Sequence, residues 1–281
     1  MDVIRFNNPA KYAAVATPLL MRNEAENCFF LGCIGGQTDL SDWVLCVVRD
    51  DAHRPIAAAT MTPGMQMIVT RAPDAAGITL ADYIHQQQIA LPGIGGIRET
   101  AEAFARRWVE LTGVATRVHV ALAVHQLTRV VPPRSTRGAM RIAEPRDIDL
   151  VAQWVTDFHS EIGAVHVDTG RNVAARRIAA ASIFFWEDDN GEPVAMAGSS
   201  GPTPNGIRVN LVYTPPPHRG RGYASNLVAH LSQRLLDGGK TFCFLYTDLA
   251  NPTSNKIYKQ IGYEPLSQSV HIMFDGAAGS H

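Results

Sequence analysis

The stretch Val212–Leu231, VYTPPPHRGRGYASNLVAHL, poses the question on which the fold turns. An apolar run stops at three consecutive prolines, none of which can donate a ladder hydrogen bond, so a strand ends there. Arg-Gly-Arg-Gly follows. Then Ala224, Leu227, Val228, Leu231 and Leu235 recur at helical spacing as far as Gly238-Gly239. Gly220 and Gly222 carry no Cβ, so the chain can turn sharply and bring its backbone close to a ligand. A helix that begins near Gly222 or Tyr223 leaves its first N–H groups without intrahelical partners. Those groups and the helix dipole favour a phosphate, and Arg219 and Arg221 add cationic side chains. On spacing alone the same residues also suit a solvated glycine-rich connection with no ligand. A dinucleotide fingerprint fits less well, although Asp248 ends the next strand. Ser225 stands where a third small residue belongs, and the proline triplet separates strand from glycines.

The rest of the chain bounds the answer. Its 281 residues suit one large domain or two ordinary ones, with 46% hydrophobic and 18% charged residues as in a globular protein. A formal net charge of −1 argues against a dedicated nucleic-acid binder. No apolar run reaches the ~20 residues needed to span a membrane, and MDVIRFNNPAKY does not read as a secretory leader. Cys28, Cys33, Cys46 and Cys243 form no metal-ligand spacing, so no metal is expected. They read as reduced thiols of a cytoplasmic protein.

A seam lies at VVPPRSTRGAM, Val130–Met140, where prolines and basic residues interrupt dense apolar patterning. It divides the chain into residues 1–130, a linker at 131–140, and residues 141–281. In the first part DWVLCVVRDD, RPIAAATMT and GMQMIVTRAP read as strands. Ile97 opens a helix whose Ala101, Phe104, Ala105, Trp108 and Leu111 share a face, and TRVHVALAVHQL alternates as a strand. In the second part Asp147 is placed to cap DIDLVAQWVTDFHSEIG, and TGRNVAARRIAAA is a further helix. SIFFWEDDN, EPVAMAGSS and GIRVNLVYT are three strands on short turns. KTFCFLYTDL is a buried strand, TSNKIYKQIG a short helix and YEPLSQSVHIMF a closing strand. The order predicts a mixed α/β layer fold, not an alternating βαβ array.

With these elements in place, Val212–Leu231 resembles the acyl-CoA-binding motif of the GNAT N-acetyltransferases, Arg/Gln-x-x-Gly-x-Gly/Ala, met here by Arg219, Gly222 and Ala224. Asn251–Pro265, NPTSNKIYKQIGYEP, is similar to a later segment of that family. The resemblance covers Gly138 onward well, and the first half only in its order of elements. There PGIGGIRE, Pro92–Glu99, is the nearest equivalent of the phosphate loop and has no arginine ahead of its glycines. The resemblance therefore implies two tandem GNAT-like domains, each a mostly antiparallel splayed sheet flanked by helices, the first a degenerate copy.

It also implies acetyl-CoA as co-substrate and direct transfer of the acetyl group to a primary amine of a small molecule, a metabolite or an antibiotic. The roles it carries over are specific. Val212 and Thr214 would pair with the pantetheine arm, Arg219, Gly220, Arg221, Gly222, Tyr223 and Ala224 would hold the pyrophosphate, and Asn251 would bond the pantetheine. Tyr258 would protonate the departing thiolate, since a phenol of pKa about 10 can serve a thiol of about 8.5. Read as plain residues, Tyr258 also suits a core aromatic beside Ile257 and Ile261, and Asn251 a turn before Pro252. The base is not evident. Relatives often place a glutamate on the strand before the loop, where this chain has Arg208 and Asn210. Glu161, His159, His166, Glu187 and Asp188 are the other candidates, in a region able to receive a cationic amine. A non-catalytic acyl-CoA sensor is the alternative this leaves open.

Overall fold

The apolar runs become strands whose alternate side chains enter different helix layers. The structure, a computed structural model, describes residues 1–36, 39–163 and 170–275. It divides into two compact units. One comprises Met1–Val124, Thr247–Asn251 and the chain from Pro265; the other comprises His125–Tyr246 and Pro252–Glu264.

The first unit contains β1 (Asp2–Phe6), α1 (Pro9–Leu20), α2 (Cys28–Gly35), β2 (Val44–Arg49), β3 (Pro55–Met61), β4 (Met67–Val69), α3 (Asp74–Gln86), β5 (Gly93–Ile97) and α4 (Arg98–Thr112). Strand β6 (Thr116–Leu127) begins in this unit and ends in the other. The second unit contains β7 (Ala139–Ile142), α5 (Ile148–Glu161), α6 (Gly170–Ala179), β8 (Ile183–Glu187), β9 (Pro193–Ser200), β10 (Gly206–Tyr213), α7 (Tyr223–Asp237), β11 (Phe242–Asp248) and α8 (Pro252–Gln260). Strand β12 (Glu264–Phe274) follows and returns to the first unit. Each half thus runs β-α-α-β-β-β-α-β-α-β.

Pairing follows one scheme in both. In the first unit β1, β2, β3 and β4 are antiparallel neighbours, β4 and β5 are parallel, and β5 pairs antiparallel with β12. In the second, β7, β8, β9 and β10 are antiparallel neighbours, and β10 runs parallel to β11. In each unit both faces of the strands are covered, so they read as near-continuous apolar runs. On β2, Cys46 and Val48 pack with Phe104 and Trp108 of α4, while Leu45 and Val47 pack with Tyr12, Ala16 and Leu20 of α1. On β8, Ile183 and Phe185 face Val151, Trp154 and Val155 of α5, while Phe184 and Trp186 face Leu227, Val228 and Leu231 of α7.

Three expectations need correction. Ile97 ends β5 and α4 starts at Arg98. Asp147 stands before α5 but does not cap it. Its carboxylate accepts from Arg141 (2.7 and 3.1 Å) and from the Glu144 N–H (2.7 Å), closing a short 3-10 turn instead. The glycines of Pro92–Glu99 serve strand packing and not a ligand. A Cβ on Gly93 would meet the Ile272 carbonyl oxygen at 2.4 Å, and one on Gly96 the Val69 oxygen at 2.0 Å. By position, the counterpart of the phosphate loop is the β4–α3 turn, and two of its amides are engaged. Thr70 N–H donates to Ala58 O (3.0 Å), and Ala72 N–H to Thr100 Oγ1 (2.8 Å).

Candidate active site

The site grows from a fault in β10. The strand pairs in parallel with β11 over Gly206–Arg208 against Phe242–Phe244, and the register stops there. Opposite β9 the register shifts between Asn210 and Tyr213, and within the shift Leu211 has φ +49°. A left-handed non-glycine residue costs about 1–2 kcal/mol and re-aims the strand, as a bulge does. Its side chain stays buried with Trp154 and Tyr213 on the α5–α6 face, while Val212 turns to the α7–α8 face. Beyond the bulge Thr214 holds its hydroxyl oxygen buried, with no hydrogen-bond partner among the described residues.

The prolines then make a single 3-10 turn, Pro216–His218, and the chain enters α7 through Arg219–Gly222. Gly220 and Gly222 take φ +75° and +83°. A Cβ at Gly220 would meet nothing within 4 Å, and one at Gly222 would approach only Asn226 Nδ2, at 3.7 Å. Glycine is required here by backbone conformation, not by crowding. The first helical bond is Asn226 N–H to Gly222 O (3.1 Å). Among the described residues, the backbone N–H groups of Gly220, Arg221, Gly222, Tyr223, Ala224 and Ser225 donate to no protein acceptor. The loop is nevertheless fixed. Buried Asn226 donates from Nδ2 to Gly222 O and to Arg134 O (both 3.0 Å), and Thr136 Oγ1 donates to Arg221 O (3.3 Å). The proline-rich seam therefore braces the loop.

Arg219 does not extend freely. Its Nε donates to Thr214 O (2.8 Å), its Nη2 pairs with Glu161, and its guanidinium lies 6.0 Å from the Tyr213 ring centroid. Arg221 is exposed. Tyr258, on α8, is buried beside Tyr263 (ring centroids 5.9 Å) in the cluster against which Val212 and Tyr223 also pack. Its hydroxyl makes no hydrogen bond to a described residue, and burial pushes the phenol's pKa up, so it stays protonated at neutral pH. Asn251 lies in the turn after β11, its N–H on Asp248 O (3.0 Å), and is grouped with the first unit.

The base candidates are mostly engaged. Glu187 pairs with Arg141 (2.5 Å), Asp188 accepts from the Asn190 and Glu192 amides (2.9 and 3.1 Å), and Glu161 holds Arg219. Burial lowers the pKa of His159, which is therefore neutral at pH 7. His166 lies outside the described residues. One cluster has no sequence signal at all: Arg177 of α6 beside Ser200, Arg208 and Asn210, brought together from positions far apart in the chain.

Residues 149–263 match the model of the acetyltransferase (GNAT) family. A GCN5-related N-acetyltransferase from Sphaerobacter thermophilus superposes with TM-score 0.66 at 18% identity, over 97% of this chain and 95% of that one. A GNAT-family acetyltransferase from Colwellia psychrerythraea gives 0.59 at 12%, over 98% and 99%.

The chain has the GNAT acetyltransferase fold.

The family match supports N-acetyltransferase activity, and with it the use of acetyl-CoA. A fungal GCN5-related glucosamine N-acetyltransferase region gives TM-score 0.57 at 12% identity, over 96% of this chain and 38% of that one. The search of curated proteins returned no match. Among the described residues no helix is long and apolar enough to cross a membrane, and no group of three or more His, Cys, Asp or Glu is placed to hold a metal.

Proposed function

We propose that the second unit transfers the acetyl group of acetyl-CoA to a primary amine of a small molecule, and that the first is a degenerate tandem copy that has lost the co-substrate site. The carrying observation is the run of six unengaged amides, Gly220–Ser225, at the start of α7 beside the split end of β10. Such a run suits a pyrophosphate, because each N–H can donate to a phosphate oxygen and the helix dipole adds favourable charge. In the β4–α3 turn of the first unit Thr70 and Ala72 spend their amides on Ala58 and Thr100, which supports assigning binding to one unit.

In this reading the free edge of β10 at Val212–Thr214 receives the pantetheine arm as a further strand, with the orphaned Thr214 hydroxyl facing it. Arg219 positions the strand end by tying Thr214 to the loop. Asn251 is assigned to the pantetheine and Tyr258 to the sulfur. The neutral amine attacks the acetyl carbonyl carbon, the carbon–sulfur bond breaks, and the thiolate takes the Tyr258 proton. The amine's surplus proton leaves through water, because Asn210 is an amide and cannot accept it. Positioning and electrostatics then supply most of the rate. The family match favours this enzyme over a sensor that only binds acyl-CoA. The test is CoA release and acetyl-amine formation, one for one, across a panel of amines. Binding of acetyl-CoA without transfer to any amine would establish the sensor.

A further inference from the structure

We infer that Arg177 and Arg208 recognise a carboxylate on the acceptor, so that the amine this enzyme acetylates belongs to an amino acid or another acid-bearing amine. The inference rests on the acetyltransferase reading and narrows its substrate class. Both guanidiniums are half-buried on the α5–α6 side of the split strand, and neither forms an ion pair among the described residues. Arg177 donates from Nη1 to Ser199 O (2.8 Å) and from Nη2 to the Asn210 amide oxygen (3.0 Å). Ser200 donates its hydroxyl to that same oxygen (2.7 Å) and accepts from Arg208 Nη2 (3.2 Å). Arg208 Nε is buried with no partner among the described residues.

Two like charges held together by neutral groups are unfavourable until an anion joins them. Burial and the neighbouring charges of Arg208 and Arg176 lower the pKa of Arg177, and no carboxylate offsets them. The acids of α5 and its surroundings have other partners: Asp149 holds Arg171, Asp147 and Glu187 hold Arg141, Glu161 holds Arg219, and Asp157 accepts from Gln153 (2.8 Å). A planar guanidinium matches a carboxylate in two parallel hydrogen bonds. The cluster lies on β10 just ahead of the bulge, where Asn210 anchors it, so an acid bound there would direct its amine towards the split.

The experiment titrates CoA-loaded protein calorimetrically with L-amino acids and ω-amino acids, each against the amine lacking its carboxylate, and with aminoalkylphosphonates of matched length. At least one carboxylate compound should bind about 10-fold or more tighter than its counterpart, the value of a charge-assisted hydrogen bond to an ion. Arg177→Gln and Arg208→Gln should each remove most of that preference, and Arg208→Lys should restore part of it. Equal binding within every pair, tighter binding of the phosphonate than of its carboxylate match, or a preference that survives both Gln substitutions overturns the inference. The wild-type comparison decides even if a variant does not fold. Acetyl-CoA affinity is measured separately: its absence refutes the acetyltransferase reading, and its presence without a carboxylate preference refutes only this narrowing.

Discussion

Gly222→Val probes the loop where backbone conformation and ligand contact coincide. Gly222 sits at φ +83°, ψ 2°, immediately before α7. A β-branched residue held there costs about 1–2 kcal/mol in the folded state, so the chain gains by moving Gly222 out of the left-handed region. The space around a new Cβ is open, with Asn226 Nδ2 the nearest atom at 3.7 Å, so the fold itself should survive. What changes is the aim of the amides on either side. Each N–H to phosphate hydrogen bond is worth about 1.5–3 kcal/mol, and losing one weakens binding about 10- to 150-fold. Calorimetry should therefore show CoA binding reduced by at least that factor in Gly222→Val. Pantetheine, which lacks the pyrophosphate, should bind with unchanged affinity. Gly222→Asn, a residue that tolerates the left-handed region, should lie close to wild type. Equal losses for CoA and pantetheine, or no loss for either, would refute the phosphate-loop assignment.

Other substitutions separate the remaining roles. Tyr258→Phe should lower kcat by about 10²- to 10⁴-fold while leaving CoA affinity and thermal stability near wild type, because the hydroxyl has no partner among the described residues; an unchanged kcat would return Tyr258 to the core. Arg141→Gln removes the cation that bridges Asp147 and Glu187, and denaturant titration should show about 3 kcal/mol of destabilisation, the lower edge for breaking a mostly buried pair. Burial first, and the charge of His119 second, depress the pKa of His271, so the folded protein resists a proton that the unfolded chain accepts near about 6.5. Stability from neutral His271 is then complete above that pH and falls as pH drops towards its lowered folded value. Replacing His271 with Asn should flatten the decline in Tm between pH 7 and pH 5; an unaltered slope would remove His271 from the acid response.

The second half of the fold was legible because its signals are local. Three prolines end β10, glycines open α7, and apolar residues at helical spacing form the face that packs on Trp186 and Cys243. Less local features were not. Helix α1 carries Pro18 within it and starts on Asn8, whose side chain accepts from the Lys11 N–H, a cap hidden in a weakly periodic segment. Helix α3 contains Gly77, which reads as a helix weakener. It is required because a Cβ there would meet the Thr100 carbonyl oxygen at 2.7 Å. Strand β7 was hidden in the basic seam, since Ala139–Ile142 is too short to show alternation.

At the site, the motif gave the loop but not the bulge. Leu211 looks like any apolar strand residue, and its left-handed backbone goes with tertiary packing against Trp154 and Tyr213. The Arg177–Arg208–Asn210 cluster was equally invisible, because its members come from a helix and a strand with no shared spacing. In the sequence, Arg208 and Asn210 stand out only for the glutamate that is missing from their strand.

The most direct test of the central claim is amide hydrogen exchange at Gly220–Ser225, with and without acetyl-CoA. These six groups donate to no acceptor among the described residues and should become strongly protected on binding, whereas the Thr70 and Ala72 amides in the first unit should not change. New protection at Thr70 and Ala72 instead, or none at Gly220–Ser225 under saturating acetyl-CoA, would contradict the account.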